Sequence, residues 1–308
     1  MKTPYWFSKV TLWAIFLLPF AFIYSFVSLV VFHIRARNVY VSRRPVVCFG
    51  NILAGGVGKT PIVRRVAEFL DAPIVMRGYK RTKHTNNIGD EALMLSRYGL
   101  AVHTGDRKSN IMLLDKQTDD TPIIMDDGFQ NPTIKKTISI LVFDENIGVG
   151  NGFLLPAGPL REGMGALKRA DAVIIIRGTA GRKKEIKIPS NIPVFYADSQ
   201  TISPYDENEK LYAFAGIGYP KKFFGVLKNV VGTRIFADHY QYTDDDINKL
   251  SNIADKMGAK LITTEKDWVR LSDIARSRIK YAKQEITIEG AFWDWLKGAI
   301  DGKIIKEN

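Results

Sequence analysis

The chain has 308 residues, of which 46% are hydrophobic and 25% charged, and its formal net charge is +12. This length suffices for one large or two modest domains with a substantial core, and the single cysteine, Cys48, excludes a disulfide framework. The positive charge calls for an anionic partner, such as nucleic acid, an acidic membrane surface or a polyphosphate ligand.

The first long stretch of the chain carries no charge. From Val10 to Phe32 there are 23 such residues, and fifteen of them are Leu, Ile, Val or Phe. As one helix the stretch would measure about 35 Å, enough to cross a hydrocarbon layer of ~30 Å. We therefore predict a membrane-associated helix within residues 1–38. Pro19 interrupts it, so a full span and a shallow or re-entrant segment both remain open, and a buried core helix is the alternative.

The charges that flank this stretch are unequal. Four arginines follow it, at positions 35, 37, 43 and 44, whereas only Lys2 and Lys9 precede it. Positive charge tends to stay on the cytoplasmic side of a membrane. The flanks therefore predict that the body of the protein faces the cytoplasm.

A strand, a glycine-rich turn and a helix are predicted next, over residues 46–70. The backbone N–H groups of such a turn converge on a phosphate, and the helix N-terminus behind them adds a favourable field. The pattern predicts a phosphate loop in which Lys59 reaches the terminal phosphates and the Thr60 hydroxyl holds Mg²⁺. Leu53 stands where the usual pattern has its first glycine, and an ordinary glycine-rich turn is the alternative. The nucleotide-binding residues that we predict are Leu53, Ala54, Gly55, Gly56, Val57, Gly58, Lys59, Thr60 and Arg161.

Strands and helices alternate after the loop. The predicted strands cover residues 74–76, 100–103, 122–125, 138–143, 172–176, 193–196, 211–215, 233–236 and 260–263, with helices at 90–98 and 243–257. This alternation predicts an α/β fold of the phosphate-loop NTPase type, with helices on both faces of a largely parallel sheet. We expect a nucleotide-binding domain at 39–200, with a hinge within about 148–165, and a smaller α/β domain at 201–308.

Two adjacent carboxylates, Asp126 and Asp127, end a predicted apolar strand. Open α/β sheets bind ligands at the carboxyl ends of their strands, and a phosphate-loop enzyme needs a carboxylate there for its metal. Neighbouring residues of an extended chain point in opposite directions, so both carboxylates reach one site only if the chain has turned by Gly128. A structural Asp-Asp-Gly turn is the alternative.

Other candidate residues are dispersed along the chain. Asp90 begins a predicted helix, where a carboxylate usually serves the helix dipole, and catalysis is the second possibility. Arg161 and Glu162 follow a Pro-Gly turn as candidate phosphate and metal ligands, with a surface ion pair as the alternative. His239 follows a predicted strand, and a lone histidine is most often structural.

Taken together, the order and spacing of these motifs resemble those of the tetraacyldisaccharide 4'-kinase family of lipid A biosynthesis. The matching segments are residues 50–51 with 55–61, 77–79, 89–91, 126–130, 155–162, 238–239 and 264–267. The resemblance implies transfer of the γ-phosphoryl group of ATP to the 4'-hydroxyl of an acylated glucosamine disaccharide 1-phosphate. It places this reaction at the cytoplasmic face of a Gram-negative inner membrane, with ATP and Mg²⁺ as cofactors.

The resemblance also implies roles for individual residues. It makes Asp90 the general base and His239 the partner that orients or polarises it from a second domain. Thr60 and Glu162, with Asp126 or Asp127 or both, become the Mg²⁺ environment, and Lys59 neutralises charge on the transferred group. The expected partners are the lipid substrate and membrane lipids, not nucleic acid or an obligate protein. Independently of the resemblance, a basic face toward anionic head groups could include Lys80, Arg81, Lys83 and Arg107, and solvated surface charge is the alternative for each of them.

A partitioning ATPase is the alternative function. The segment from Ala54 to Thr60 also resembles the deviant phosphate loop of membrane-bound switch ATPases of the ParA and MinD type. Those proteins carry a signature lysine where this chain has Ala54. Such an ATPase would hydrolyse ATP without a lipid acceptor.

Overall fold

The computed structural model describes residues 5–78, 89–178, 183–218 and 220–307. The described residues form two compact units. The larger unit contains residues 5–77, 99–178, 183–198 and 286–307, and the smaller unit contains 78, 89–98, 199–218 and 220–285. Each unit combines segments that are distant in sequence, whereas each predicted domain is one continuous stretch of the chain. The predicted domain boundaries therefore stay a prediction.

The apolar N-terminal stretch forms two helices after a short 3-10 helix, Tyr5–Phe7: α1, Leu12–Phe16, and α2, Leu18–Arg35. The helices α1 and α2 are separated at Leu17. Pro19 favours the start of a new helix here, because it lies in the first turn of α2, where its missing N–H is not needed. By length and composition α2 could cross a membrane, a test that core helices and signal sequences also pass. Its large side chains are exposed, as for Phe22 at 83%, which speaks against the buried core helix.

The larger unit holds a parallel sheet, in the order β3-β2-β4-β1-β5-β6-β7. Its strands are β1 Val46–Gly50, β2 Ile74–Met76, β3 Val102–Thr104, β4 Ile123–Asp126, β5 Ile138–Asp144, β6 Ala172–Ile176 and β7 Val194–Ile202, of which residues 199–202 belong to the smaller unit. Its other helices are α3 Lys59–Leu70, α5 Arg107–Leu114, a 3-10 helix Met164–Arg169, and α10 Gly290–Glu307.

Four central strands of this sheet, β1, β4, β5 and β6, are buried at every residue. Apart from Asp126, Ser139 and Asp144, their sequences are apolar runs rather than alternating patterns, as expected for a parallel sheet covered on both faces. Because parallel strands end at the same edge, the neighbouring strands β1 and β4 deliver Gly50 and Asp126 to one edge of the sheet. The predicted parallel α/β sheet is confirmed.

The smaller unit has its own parallel strands, in the order β11-β10-β8-β9. They are β8 Leu211–Ala215, β9 Val230–Ile235, β10 Lys260–Thr264 and β11 Lys280–Ile288, of which residues 286–288 belong to the larger unit. The helices are α4 Asp90–Ser96, α6 Pro220–Phe224, α7 Asp244–Lys256, α8 Glu265–Trp268 and α9 Asp273–Arg278. Alternate residues of β8 join different apolar clusters, Tyr212 and Phe214 in one and Leu211 and Ala213 in the other.

Candidate active site

The glycine-rich turn of the larger unit joins β1 to α3 as predicted. Gly55 and Gly58 have φ angles of +108° and +81°, a left-handed conformation that favours glycine, and Gly58 lies at the N-terminal cap of α3. At the end of β1, a Cβ on Gly50 would lie 2.4 Å from the Cβ of Phe129. Glycine is therefore required where the segment after β4 packs against this turn.

Asn51 organises the turn from within. Its buried side-chain amide donates to the carbonyl oxygens of Leu53 and Gly55, at 3.0 and 3.3 Å. Its Oδ1 accepts from Lys59 Nζ at 2.9 Å, and its backbone oxygen accepts from the Gln130 side chain at 2.9 Å. One buried amide thus fixes the path of the turn and the direction of the lysine.

The carboxylate of Asp127 lies between two cations. Its Oδ1 is 3.0 Å from Lys59 Nζ, and its Oδ2 is 3.3 Å from an Arg161 guanidinium nitrogen. Burial raises the pKa of Asp127, but the charges of Lys59 and Arg161 outweigh this effect and hold the pKa below its ordinary value. The structure therefore brings together three of the predicted site residues, Lys59, Asp127 and Arg161.

The two adjacent aspartates occupy different surroundings. Asp126 is the last residue of β4 and is buried, whereas Asp127 has a φ of +50° and turns its partly exposed side chain to Lys59. Arg107 donates to the backbone oxygens of both, at 3.0 and 2.9 Å. Arg107 thus holds the turn after β4. The other predicted basic residues, Lys80, Arg81 and Lys83, lie outside the described residues, as does Tyr79 of the family motif.

The remaining predicted loop residues contribute less visibly. The side chains of Leu53 and Val57 are buried, and the Ala54 N–H donates to the Pro159 oxygen at 2.7 Å. Gly56 is exposed in the turn, and Thr60 lies in the first turn of α3. The buried side chains of Leu53 and Val57 and the Ala54 hydrogen bond therefore help to fix the path of the loop.

Glu162 forms an ion pair with Arg169. Its second oxygen, Oε1, is buried and has no hydrogen-bond partner among the described residues. Arg169 also stacks over the Phe129 ring, with its guanidinium carbon 4.6 Å from the ring centroid. Among the residues that the structure describes, no three His, Cys, Asp or Glu side chains form a metal-binding group.

The smaller unit brings Asp90 and His239 together, although 149 positions separate them. His239 Nδ1 lies 3.0 Å from Asp90 Oδ2, and Arg270 Nε donates to the same oxygen at 2.7 Å. Asp90 begins α4, and His239 follows β9 with a φ of +60°. The predicted pair of catalytic side chains is thus in direct contact.

The partners of Asp90 favour its ionised form. Burial raises the pKa of Asp90, but the hydrogen bond from His239 and the charge of Arg270 outweigh it, so the pKa lies below its ordinary value. An ionised carboxylate only accepts hydrogen bonds, so His239 Nδ1 is the donor, and Nε2 of a neutral ring keeps its lone pair. The Asp90 side chain is 3% exposed and that of His239 is 19% exposed, so the ring is the accessible member.

Two residues that contact the candidate site residues were not predicted as site residues from the sequence. Asn51 lies in a segment that matches the family and is a polar residue directly after an apolar strand, which indicates a buried hydrogen-bonding group in the loop. Arg270 lies outside every motif segment that matches the family. It lies three residues after Asp267 in the last matching segment, and it follows the short helix α8, so Arg270 and Asp267 face each other.

The sequence was compared with known protein families. A profile of the family described as Tetraacyldisaccharide-1-P 4'-kinase matches residues 13–301. The chain belongs to this family. Its activity class is therefore that of a kinase, a phosphotransferase with an alcohol group as acceptor.

Individual relatives agree with this result. The chain is 36% identical over 290 residues to the tetraacyldisaccharide 4'-kinase of Rickettsia bellii, covering 88% of this chain and 89% of that one. It is 38% identical over 259 residues to the enzyme of the same name from Maricaulis maris, covering 76% of each chain.

One solved structure shares the fold. It is the crystal structure of the apo form of LpxK from Aquifex aeolicus in complex with ATP, which matches with a TM-score of 0.75 at 24% identity. The match covers 94% of this chain and 99% of the other. The family resemblance predicted from the sequence is confirmed, and it favours the kinase over the partitioning ATPase.

Proposed function

We propose that this chain transfers the γ-phosphoryl group of ATP to the 4'-hydroxyl of an acylated glucosamine disaccharide 1-phosphate, a step of lipid A biosynthesis. The family match over residues 13–301 carries the proposal. The structure adds two sets of side chains that this chemistry requires. One is the cationic turn around Lys59, and the other is the Asp90–His239 pair.

The turn after β1 is proposed to bind the triphosphate in the manner of a phosphate loop. Left-handed glycines, the N-terminus of the twelve-residue helix α3 and Lys59 together supply N–H donors, a favourable dipole and a positive charge. Arg161 adds a second cation, which forms an ion pair with Asp127. These groups stabilise negative charge on the transferred phosphoryl group, which is the main requirement of phosphoryl transfer.

The same turn offers oxygen ligands that suit Mg²⁺. Mg²⁺ is usually held by one or two carboxylates, a hydroxyl and the phosphates of the nucleotide, so a cluster of three carboxylates is not required. We propose that Asp127 and the Thr60 hydroxyl hold it, together with Glu162, whose buried Oε1 is an acceptor without a partner among the described residues. Asp126 is the less suitable of the two aspartates, because it is buried at the end of β4. When bound, the metal would neutralise charge on the phosphates.

The Asp90–His239 pair is proposed to accept the proton of the sugar hydroxyl. The family resemblance implied Asp90 as the base and His239 as the partner that orients or polarises it. In the structure the His239 ring is the accessible member, and its Nε2 lies 3.9 Å from Asp238 Oδ1 rather than against Asp90. We propose that a neutral ring that donates from Nδ1 to Asp90 accepts the hydroxyl proton at Nε2, while Asp90 stabilises the positive charge on the ring. A positioned acid–base group of this kind contributes about 10²- to 10⁴-fold to a rate.

A location at the cytoplasmic face of a Gram-negative inner membrane is part of the proposal. The exposed apolar side chains of α2 and the arginines at 35, 37, 43 and 44 support it. A substrate with several acyl chains stays in the bilayer, so membrane lipids are the expected partners, and neither nucleic acid nor an obligate protein is required.

The predicted domain boundaries are kept as a separate part of the proposal. Residues 39–200 would form the nucleotide-binding domain, and residues 201–308 the smaller α/β domain.

Transfer of label from γ-labelled ATP tests this function. The full chain is incubated with Mg²⁺ and detergent micelles, with and without the acylated disaccharide 1-phosphate. We expect label in the lipid only when the acceptor is present. Release of labelled phosphate at the same rate without the acceptor would support the partitioning ATPase instead.

A further inference from the structure

Arg270 is the most deeply buried cation of the smaller unit and connects two carboxylates. Its side chain has no exposed surface, and its residue as a whole is 1% exposed. Nε donates to Asp90 Oδ2 at 2.7 Å, and Nη1 donates to Asp267 Oδ1 at 2.9 Å and to the Gly216 oxygen at 3.0 Å. One guanidinium therefore links the candidate catalytic pair to the interior of the unit.

Asp267 is itself fixed from several directions. Its Oδ1 accepts from the Gly216 N–H and the Tyr242 hydroxyl, both at 2.9 Å, and its Oδ2 accepts from the Thr264 hydroxyl at 2.6 Å. Burial and the Asp267 carboxylate raise the pKa of Tyr242, so its hydroxyl remains a donor. Because these partners lie on different segments, Asp267 and hence Arg270 each have one available orientation.

Arg270 and Asp90 do not form a bidentate ion pair, which would be the strongest arrangement of these two groups. The Nε edge of a guanidinium presents two parallel N–H groups, but only Nε meets Asp90. Arg270 Nη2 and Asp90 Oδ1 are both buried and have no hydrogen-bond partner among the described residues. A buried ion pair often contributes little net stability, since the loss of hydration offsets the attraction. The arrangement instead suits the orientation of Asp90, whose Oδ2 is shared by Arg270 and His239.

The attachment of α4 to the unit does not depend on Arg270 alone. Lys266 contacts Glu91 at 3.0 Å, and the Tyr98 hydroxyl donates to Glu265 at 2.7 Å. These contacts join the first turn of α4 and Tyr98, just after the helix, to α8. Substitution of Arg270 should therefore release the Asp90 side chain without releasing the helix that carries it.

We propose that Arg270, fixed by Asp267, is a positioning residue for the phosphoryl transfer. It holds Asp90 ionised and turned towards His239 Nδ1, so that the His239 ring keeps Nε2 directed to the acceptor hydroxyl. Arg270 acts through Asp90 and does not itself contact the reacting atoms. This inference rests on the proposed function, and in particular on the proton-accepting role of the Asp90–His239 pair.

The first test compares Arg270→Gln with Arg270→Lys and with a control, Arg276→Gln. Arg276 is a partly buried arginine of the same unit that pairs with Asp273 on α9. We expect Arg270→Gln to lower kcat about 10- to 100-fold while KM for ATP stays within about twofold, since the Asp90–His239 pair is proposed to act in the transition state and the proposed ATP site belongs to the larger unit. Arg270→Lys should fall between the wild type and Arg270→Gln, and Arg276→Gln should match the wild type. A folded Arg270→Gln variant with wild-type kcat would overturn the proposal.

The second test removes the charges of Asp90 and Arg270 together, while Asp267 keeps its hydrogen bonds from Gly216, Tyr242 and Thr264. If Arg270 acts through Asp90, the double variant Asp90→Asn with Arg270→Met should have the same kcat as Asp90→Asn alone, within about twofold. A full additional loss would assign Arg270 another role and overturn the inference, while the proposed function would stand. Wild-type kcat in Asp90→Asn alone would instead overturn the proton-accepting pair and this inference with it.

Discussion

Replacement of Asp90 by asparagine is the substitution that bears most directly on the proposed chemistry. The side chain keeps its size, but it loses the negative charge that accepts from His239 Nδ1 at 3.0 Å and from Arg270 Nε at 2.7 Å. An imidazolium formed at His239 would then lack its counter-charge. We expect kcat to fall about 10²- to 10⁴-fold, which corresponds to about 3–5 kcal/mol of transition-state stabilisation.

The same substitution has a structural cost that must be separated from the catalytic one. Removal of one partner from a buried ion pair costs up to about 3–5 kcal/mol, and the low end applies here because Arg270 keeps Asp267 and the Gly216 oxygen. Thermal unfolding measures this term independently of turnover. The affinity for ATP should stay unchanged, because the cationic turn that is proposed to bind the phosphates belongs to the larger unit.

The assay is steady-state transfer of label from ATP to the lipid acceptor, with ATP binding measured separately by titration. Glu91→Gln is the matched control, because Glu91 occupies the same first turn of α4 and pairs with Lys266 rather than with His239 or Arg270. Its kcat should stay within about threefold of the wild type, as for a partly exposed ion pair. A folded Asp90→Asn variant with kcat as high as that of Glu91→Gln would refute the reasoning.

Three further predictions concern other parts of the molecule. Lys59→Ala should weaken ATP binding and lower kcat about 10²- to 10³-fold, because a preorganised cation is lost from the phosphate site; unchanged kinetics would exclude the phosphate loop. Deletion of residues 1–34 should shift the protein towards the soluble fraction on membrane fractionation. An unchanged share of protein in the membrane fraction would count against the predicted membrane-associated helix. Folding lowers the pKa values of the Asp90 and Asp127 carboxyl groups. The two ionised carboxylates therefore stabilise the folded state fully at a pH above their pKa in the unfolded chain, and this stabilisation is lost as the pH falls through their pKa in the folded state. The free energy of unfolding should therefore drop below about pH 4, and chemical denaturation should show a smaller drop for Asp90→Asn; an equal drop would show that Asp90 does not contribute.

Much of the fold was predictable because apolar runs dominate it. The strands at 172–176 and 211–215 were predicted with their observed bounds, since each is a short buried run between polar segments. Strand β11 was missed because Lys280 to Ile288 mixes charged and apolar residues without a clear alternation. The interruption of the N-terminal stretch was expected at Pro19, and the structure has two helices there, with Pro19 in the first turn of the second.

The candidate site was predictable only in part, for a physical reason. The turn from Asn51 to Lys59 is local in sequence, so its glycines and its lysine were identified by spacing. The contact of Asp90 with His239 joins residues 149 positions apart, and it was expected only through the family resemblance. No pattern indicated Arg270, because its importance comes from burial between two carboxylates, which sequence spacing does not reveal.

Two acceptors that differ only at the 4' position test the central claim most directly. The acylated disaccharide 1-phosphate and its 4'-deoxy analogue are incubated separately with the full chain, γ-labelled ATP and Mg²⁺ in the same micelles. We predict one labelled phosphate on the first lipid and none on the analogue, with little ATP consumed in the second reaction. Label on the deoxy analogue, or equal ATP consumption with both lipids, would contradict the account.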